Sequence, residues 1–223
     1  MADTLVWLVA LPLAGAVATL LLPRQANMIA IGSAVATAVT AGVLVHAVSA
    51  QGALHYAIGG WHAGLGIALR ADGLSALLLL MTALVMLAAT TYAGAYFSSA
   101  GQLWPLWLLL WTSLNALLLA GDLFNLYVTL ELLGLSAVAL ACLGGKTAAI
   151  RAALRYLLVG LLGSMMFLAG VSLIYAGYGT LDMAMLTAAV GPGPVAWTAL
   201  ALMTAGLLLK AALFPLHFWL PPA

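Results

Sequence analysis

Residues 123–143 read LFNLYVTLELLGLSAVALACL, and residues 195–214 read VAWTALALMTAGLLLKAALF. Each run is about the length of a membrane-crossing helix, and each buries one charge, Glu131 or Lys210, among apolar neighbours. An ionised side chain near the bilayer centre costs about 2.5–3.5 kcal/mol on insertion scales. A chain carries that cost when the charges meet or do work. An acid and an amine on separate helices are the minimal parts of a proton relay.

Composition places the rest of the chain in the same class. Of 223 residues, 66% are hydrophobic and 5% charged, against about 25% charged in soluble domains. The reading is an integral membrane protein, with one transmembrane domain over 1–223 in contact with the lipid bilayer. The net charge of +1 gives no nucleic-acid footprint. The single cysteine, Cys142, excludes an intrachain disulfide and an all-cysteine metal or iron–sulfur site. The four histidines never fall in a ligand pair at helical spacing, so neither metal nor cofactor is expected. The start, Met1-Ala2-Asp3, lacks the basic region of a cleaved signal peptide, so the first apolar segment is expected to remain as a helix.

Seven windows qualify as spans: 4–22, 26–45, 74–96, 103–120, 123–143, 156–176 and 195–214. Helices are the open-ended way to satisfy backbone groups in lipid, so the fold class is all-α integral membrane. Two connections are long. In the first, 46–73, Leu65, Ile67 and Leu69 alternate with small or polar residues among Gly59, Gly60, Gly64 and Gly66, which predicts a short surface β-hairpin. The second, 177–194, carries Asp182 and the turn signal Gly-Pro-Gly-Pro at 191–194. If the spans alternate, Arg24, Lys146, Arg151 and Arg155 share one side and Arg70 stands alone on the other. The positive-inside rule then puts the N-terminus outside a bacterial cytoplasmic membrane.

The face of the fifth span that carries Glu131 also carries Tyr127, Gly134, Leu135, Val138 and Cys142. Gly134 leaves room for water or a long side chain. Glu131 is either a titrating site or a protonated structural hydrogen-bond donor. Lys210 lies four residues after Gly206 and five before Pro215, with Pro221 and Pro222 beyond. Pro215 breaks the seventh span and is expected to free the carbonyl of Ala211, a common design beside intramembrane ion sites. The competing reading is a snorkelling lysine. Asp122 reads equally as an N-cap and as the mouth of a proton path. His217, after the break, suits either a relay or a structural hydrogen bond. Arg151 and Arg155 mark the cytoplasmic interface.

Two patterns are set aside. Gly145-Lys146-Thr147 looks like the end of a P-loop, but the required earlier glycine is Leu140. Gly160 and Ser164 form a small-xxx-small step, read as packing alone, with the sixth span a thin spacer between other helices.

Two stretches carry a family resemblance: Gly121-Asp-Leu-Phe-Asn-Leu-Tyr-Val-Thr-Leu-Glu131, continuing through Leu143-Gly-Gly-Lys146 to Arg155-Tyr156, and Lys210-Ala-Ala-Leu-Phe-Pro-Leu-His-Phe-Trp-Leu-Pro221. Together they resemble the proton-conducting antiporter-type membrane subunits of respiratory complex I, group 4 hydrogenases and multi-subunit cation/proton antiporters. Gly-Asp-Leu-Phe-Asn-Leu-Tyr and Gly-Thr-Leu-Asp-Met at 179–183 are slightly closer to the antiporter and hydrogenase branches. The resemblance puts the family's proton-relay glutamate on Glu131, its broken-helix lysine on Lys210 and its proline on Pro215. It implies translocation of protons, with sodium left open, in the company of other membrane subunits of a larger complex. Family members are similar to two inverted repeats with flanking helices. This chain stops inside the first repeat, which points to the N-terminal portion of such a subunit. The alternative is a truncated structural or assembly subunit without transport. No Rossmann, flavin or iron–sulfur motif is present, so any redox chemistry belongs to partners, as in an NADH-quinone oxidoreductase-like translocase.

The resemblance gives the pair a mechanism. Opposite charges ~4 Å apart at an effective dielectric of ~20 attract by about 4 kcal/mol, and at ~10 Å by about 1.7. Opening the pair by a few ångströms therefore changes its proton-binding equilibrium by a factor of about 50, which lets Lys210 load and release a proton.

Overall fold

The computed structural model describes residues 3–61, 66–97 and 101–220. Gly64, Leu65, Pro221 and Pro222 lie outside the described residues. All seven expected spans are helices: α1 (Asp3–Leu21), α2 (Ala26–Gln51), α3 (Gly73–Tyr96), α4 (Leu103–Leu118), α5 (Leu123–Cys142), α6 (Thr147–Tyr178) and α8 (Pro194–Lys210). A short helix, α7 (Met183–Ala189), occupies the second long connection. The first long connection contributes β1 (Leu54–Ala57) and β2 (Ala68–Ala71), which pair in a two-stranded sheet. Along β2, Leu69 and Ala71 are buried and Arg70 is exposed, so side chains alternate as the sequence pattern requires. Five helices are long and apolar enough to cross a membrane, while α4 and α8 are shorter apolar helices. The chain is an integral membrane protein of all-α class.

Two compact units are present. The first comprises Met1–Tyr56 and Leu69–Ala120. Its helices meet along seams spaced alternately three and four residues apart. On α2 the seam runs through the buried Ala30, Ala34, Thr37, Ala41, Leu44 and Val48. On α3 it runs through Ala76, Leu79, Ala83, Met86 and Thr90. Small residues in such seams let backbones approach without a hydrophobic driving force, which lipid does not supply. Pro12 lies inside α1 and has no N–H for the carbonyl four residues back, that of Leu8. The buried Asn115 on α4 supplies the missing donor, its Nδ2 lying 2.7 Å from the Leu8 oxygen.

The second unit comprises Ala57–Ala68 and Gly121–Ala223. Here α6 packs against both α5 and α8, as the spacer reading predicts. The close approach to α8 falls on Gly163 and Gly170 rather than on Gly160. A Cβ on Gly163 would lie 2.8 Å from the Gly206 carbonyl oxygen, and one on Gly170 would lie 2.8 Å from that of Ala199. Around Gly160 the nearest such atom is Tyr156 Cε2, at 4.0 Å. Two helix boundaries differ from the sequence windows. Helix α6 starts at Thr147, because the hydrophilic turn with Arg151 and Arg155 is helical although it is not apolar. Helix α8 stops at Lys210, a turn before the window's end. Pro215 disfavours helical backbone at Phe214, and the chain already turns at Ala212, where φ is +51°. The helix stops before Ala211, whose carbonyl the proline is expected to free, and the carbonyls of Leu207, Leu208 and Leu209 find donors beyond it. Ala211, Leu213 and Ala212 donate to them in that order.

Candidate functional site

The site is built on α5, α6 and the C-terminal end of α8, all within the second unit. Helix α5 starts cleanly because Asp122 caps it: Oδ1 accepts from the Asn125 N–H at 2.7 Å. Oδ2 accepts from the Ala68 N–H at 3.3 Å. Neighbouring backbone bonds extend this tie, with Gly121 N–H donating to Ala68 and Leu123 N–H to Leu181. Asp122 is thus buried with both oxygens engaged by backbone. Of its two sequence readings, the geometry supports the cap.

Nine residues further along α5, Glu131 meets Lys210. The lysine Nζ lies 2.8 Å from Glu131 Oε1 and 3.3 Å from the Leu130 carbonyl oxygen. Lys210 and Glu131 are 16% and 21% exposed, so neither charge is turned out to lipid alone. The lysine is the last residue of α8, where the negative end of the helix dipole lies beside a cation. Its approach depends on the glycines: Gly163 would meet Lys210 Cγ at 3.2 Å if it carried a Cβ.

A cavity of about 110 Å³ borders the pair, lined by Glu131, Gly134, Val138, Tyr156, Gly160 and Lys210 among others. A water needs ~10–15 Å³ of such space, so several fit. Nothing lies within 4 Å of where a Gly134 Cβ would stand, and the missing side chain is part of the opening, as its place beside Glu131 suggests.

Two contributors escape the sequence reading. The small-residue spacing assigns Ser164 to packing alone, yet its hydroxyl contacts Glu131 Oε1, the same oxygen that takes Lys210. The signal for it is a hydroxyl on an apolar helix where glycine or alanine packs as well. The second is a latch. Trp219 stacks on Tyr156 with ring centroids 5.0 Å apart, and its indole N–H donates to the Leu209 carbonyl at 3.1 Å. His217 lies in the segment after the break, stacked on Phe214 at 5.6 Å. Pro215 follows Phe214 through a cis peptide bond.

The family described as NADH:quinone oxidoreductase/Mrp antiporter, transmembrane, matches residues 120–223, which contain every residue of the site. The chain is 42% identical over 176 residues to NADH-quinone oxidoreductase subunit N of Desulforudis audaxviator, covering 75% of this chain and 35% of that protein. It is 33% identical over 228 residues to a Na(+)/H(+) antiporter subunit of Bacillus subtilis, covering 95% of this chain and 45% of that protein. The chain belongs to the antiporter-type membrane subunit family. Its fold agrees: a chain of the Mrp complex from a Dietzia species superposes with a TM-score of 0.89 at 29% identity, over 98% of this chain and 42% of that one. The chain therefore spans less than half the length of these family members.

Proposed function

We propose that this chain forms the N-terminal part of a subunit that moves protons, or a cation against protons, across a membrane, and that Glu131 and Lys210 are its relay pair. The observation that carries the reading is the ion pair itself, 2.8 Å long and bordered by a cavity with room for water. Lys210 holds the proton while the pair is closed. Drawing the two apart weakens the attraction that keeps the amine charged, and the proton leaves through water. Partner subunits supply the drive, a reading supported by the Mrp complex in which the similar chain sits.

The lysine and arginine distribution supports a bacterial cytoplasmic membrane with the N-terminus outside. Single cysteines in a Cys142→Ala background test this. Labelling from outside is expected at position 70 and not at position 146, and the reverse pattern inverts the topology.

The function is tested in the full-length subunit within its assembled complex. Lys210→Ala and Glu131→Gln are each expected to abolish proton translocation while the complex still assembles. Normal translocation by either variant removes the pair from the mechanism and favours a structural role for the chain.

A further inference from the structure

We propose that Ser164 is a positioning residue that holds the ionised Glu131 carboxylate in place for Lys210. The inference rests on the relay reading above and adds a third member to it. Ser164 is buried on α6, and its hydroxyl oxygen lies against two acceptors: Glu131 Oε1 and the Gly160 carbonyl oxygen, the latter at 2.9 Å. A hydroxyl has one proton to donate and cannot serve both. Bonding back to the carbonyl four residues earlier is the ordinary resting state of a helical serine. A charged acceptor outcompetes a neutral one, because charge-assisted hydrogen bonds are about twice as strong.

The hydroxyl therefore follows the charge on Glu131. With the carboxylate ionised, Ser164 donates to Oε1 and fixes that oxygen on α6, where Lys210 also reaches it at 2.8 Å. With the carboxyl neutral, the proton swings back to Gly160 and the acid is released from α6. Among the described residues, the other titratable groups facing Glu131 are Lys210 from α8, Tyr156 from α6 across the shared cavity, and Tyr127 one turn earlier on α5 itself. Of these, Lys210 shares the oxygen that Ser164 holds. Two donors converging on one oxygen make the closed pair a three-helix junction, so loss of the serine loosens the acid rather than the lysine.

The test uses Ser164→Ala and Ser164→Thr in the full-length subunit in its complex. Ser164→Ala is expected to reduce translocation about tenfold, the scale of one hydrogen bond to a charged group. Losing a donor to the carboxylate also moves its infrared stretching band. Ser164→Thr keeps the hydroxyl and restores both. If the alanine variant does not assemble, Ser164→Cys keeps the volume with a weak donor and is expected to move the band in the same direction. An unmoved band in the variant that assembles overturns the proposal. The infrared carboxylate band, assigned through its loss in Glu131→Gln, separates this inference from the one it rests on. A band that moves in Ser164→Ala while Lys210→Ala transports normally keeps the serine contact and removes the relay. A band that does not move removes the serine contact whatever the relay does.

Discussion

The Trp219 indole nitrogen donates to the carbonyl of Leu209, the residue immediately before the buried lysine. Helix α8 ends at Lys210, so the Leu209 oxygen is one of the carbonyls with no intrahelical donor. A side chain ten residues away adds a donor to the one that the Ala212 N–H gives, and the stack of Trp219 on Tyr156 ties the same turn to α6. The tryptophan is in effect the C-terminal cap of the helix that presents Lys210.

Trp219→Phe keeps an aromatic ring for Tyr156 and removes the N–H. It is expected to lower unfolding stability by about 1 kcal/mol. Trp219→Ala loses ring and cap together and is expected to cost about 3–5 kcal/mol. Thermal or denaturant unfolding of the purified protein in detergent reads both. Phenylalanine and alanine variants of equal stability would leave the cap without energetic weight.

The glycines of α6 and α8 divide into two kinds, and substitution separates them. A Cβ at Gly206 would collide with the Gly163 carbonyl oxygen and lie 3.0 Å from the Phe167 nitrogen, both backbone atoms that cannot swing aside. Gly206→Ala is expected to force α6 and α8 apart and to carry Lys210 away from Glu131, with translocation lost and stability reduced by about 1–3 kcal/mol. Gly160→Ala meets only the edge of Tyr156 at 4.0 Å and is expected to be tolerated. Equal tolerance at both positions would show that the helices do not approach through Gly206.

The sequence makes most of this architecture legible because membrane helices must satisfy their own backbone, so hydropathy alone locates the five long spans and the two shorter apolar helices. Glu131 and Lys210 stand out for the same reason: charge is rare in apolar runs. Ser164 does not stand out, because a serine can complete its hydrogen bonding on its own helix, and nothing in the sequence reveals that Gly160 has a rival acceptor. Hydropathy puts the end of α8 a turn late for a related reason. Residues 211–214 are apolar, and hydropathy does not register the turn at Ala212. The Gly160–Ser164 spacing identifies the right helix as the spacer but the wrong glycine, since a short motif does not say which of its neighbours meets the partner backbone. The Trp219 latch depends on a contact across ten residues of irregular backbone, which no periodicity encodes.

The bond from Asn115 to Leu8 answers a defect that Pro12 creates, and the two residues are expected to be coupled. Asn115→Leu alone leaves the buried Leu8 carbonyl without a donor and is expected to cost about 1–2 kcal/mol. Pro12→Ala restores the helical N–H to that carbonyl. In the Pro12→Ala background, the same Asn115→Leu change is expected to cost measurably less. A double-mutant cycle on unfolding stability gives the coupling directly. Additive effects would show that Asn115 does not compensate for the proline.

Asp72 caps α3 from outside the membrane-spanning segment. Its Oδ1 accepts from the Ser75 N–H at 3.0 Å and from the Ser75 hydroxyl at 3.0 Å. The Ser75 backbone N–H, then its hydroxyl, hold the carboxyl below the usual carboxylate range, with Arg70 adding a smaller pull the same way. A carboxylate whose pKa is depressed on folding stabilises the fold above its unfolded value of about 3.9, and that stabilisation is lost as pH falls through the lower folded value. The start of α3 should therefore fray on acidification below about pH 4, and Asp72→Ala should show the frayed state already at neutral pH, with about 1 kcal/mol of helix stability gone. Hydrogen exchange at residues 73–76 as a function of pH measures this. Protection that is independent of pH in the wild type, or equal in wild type and Asp72→Ala at neutral pH, would remove Asp72 from the capping role.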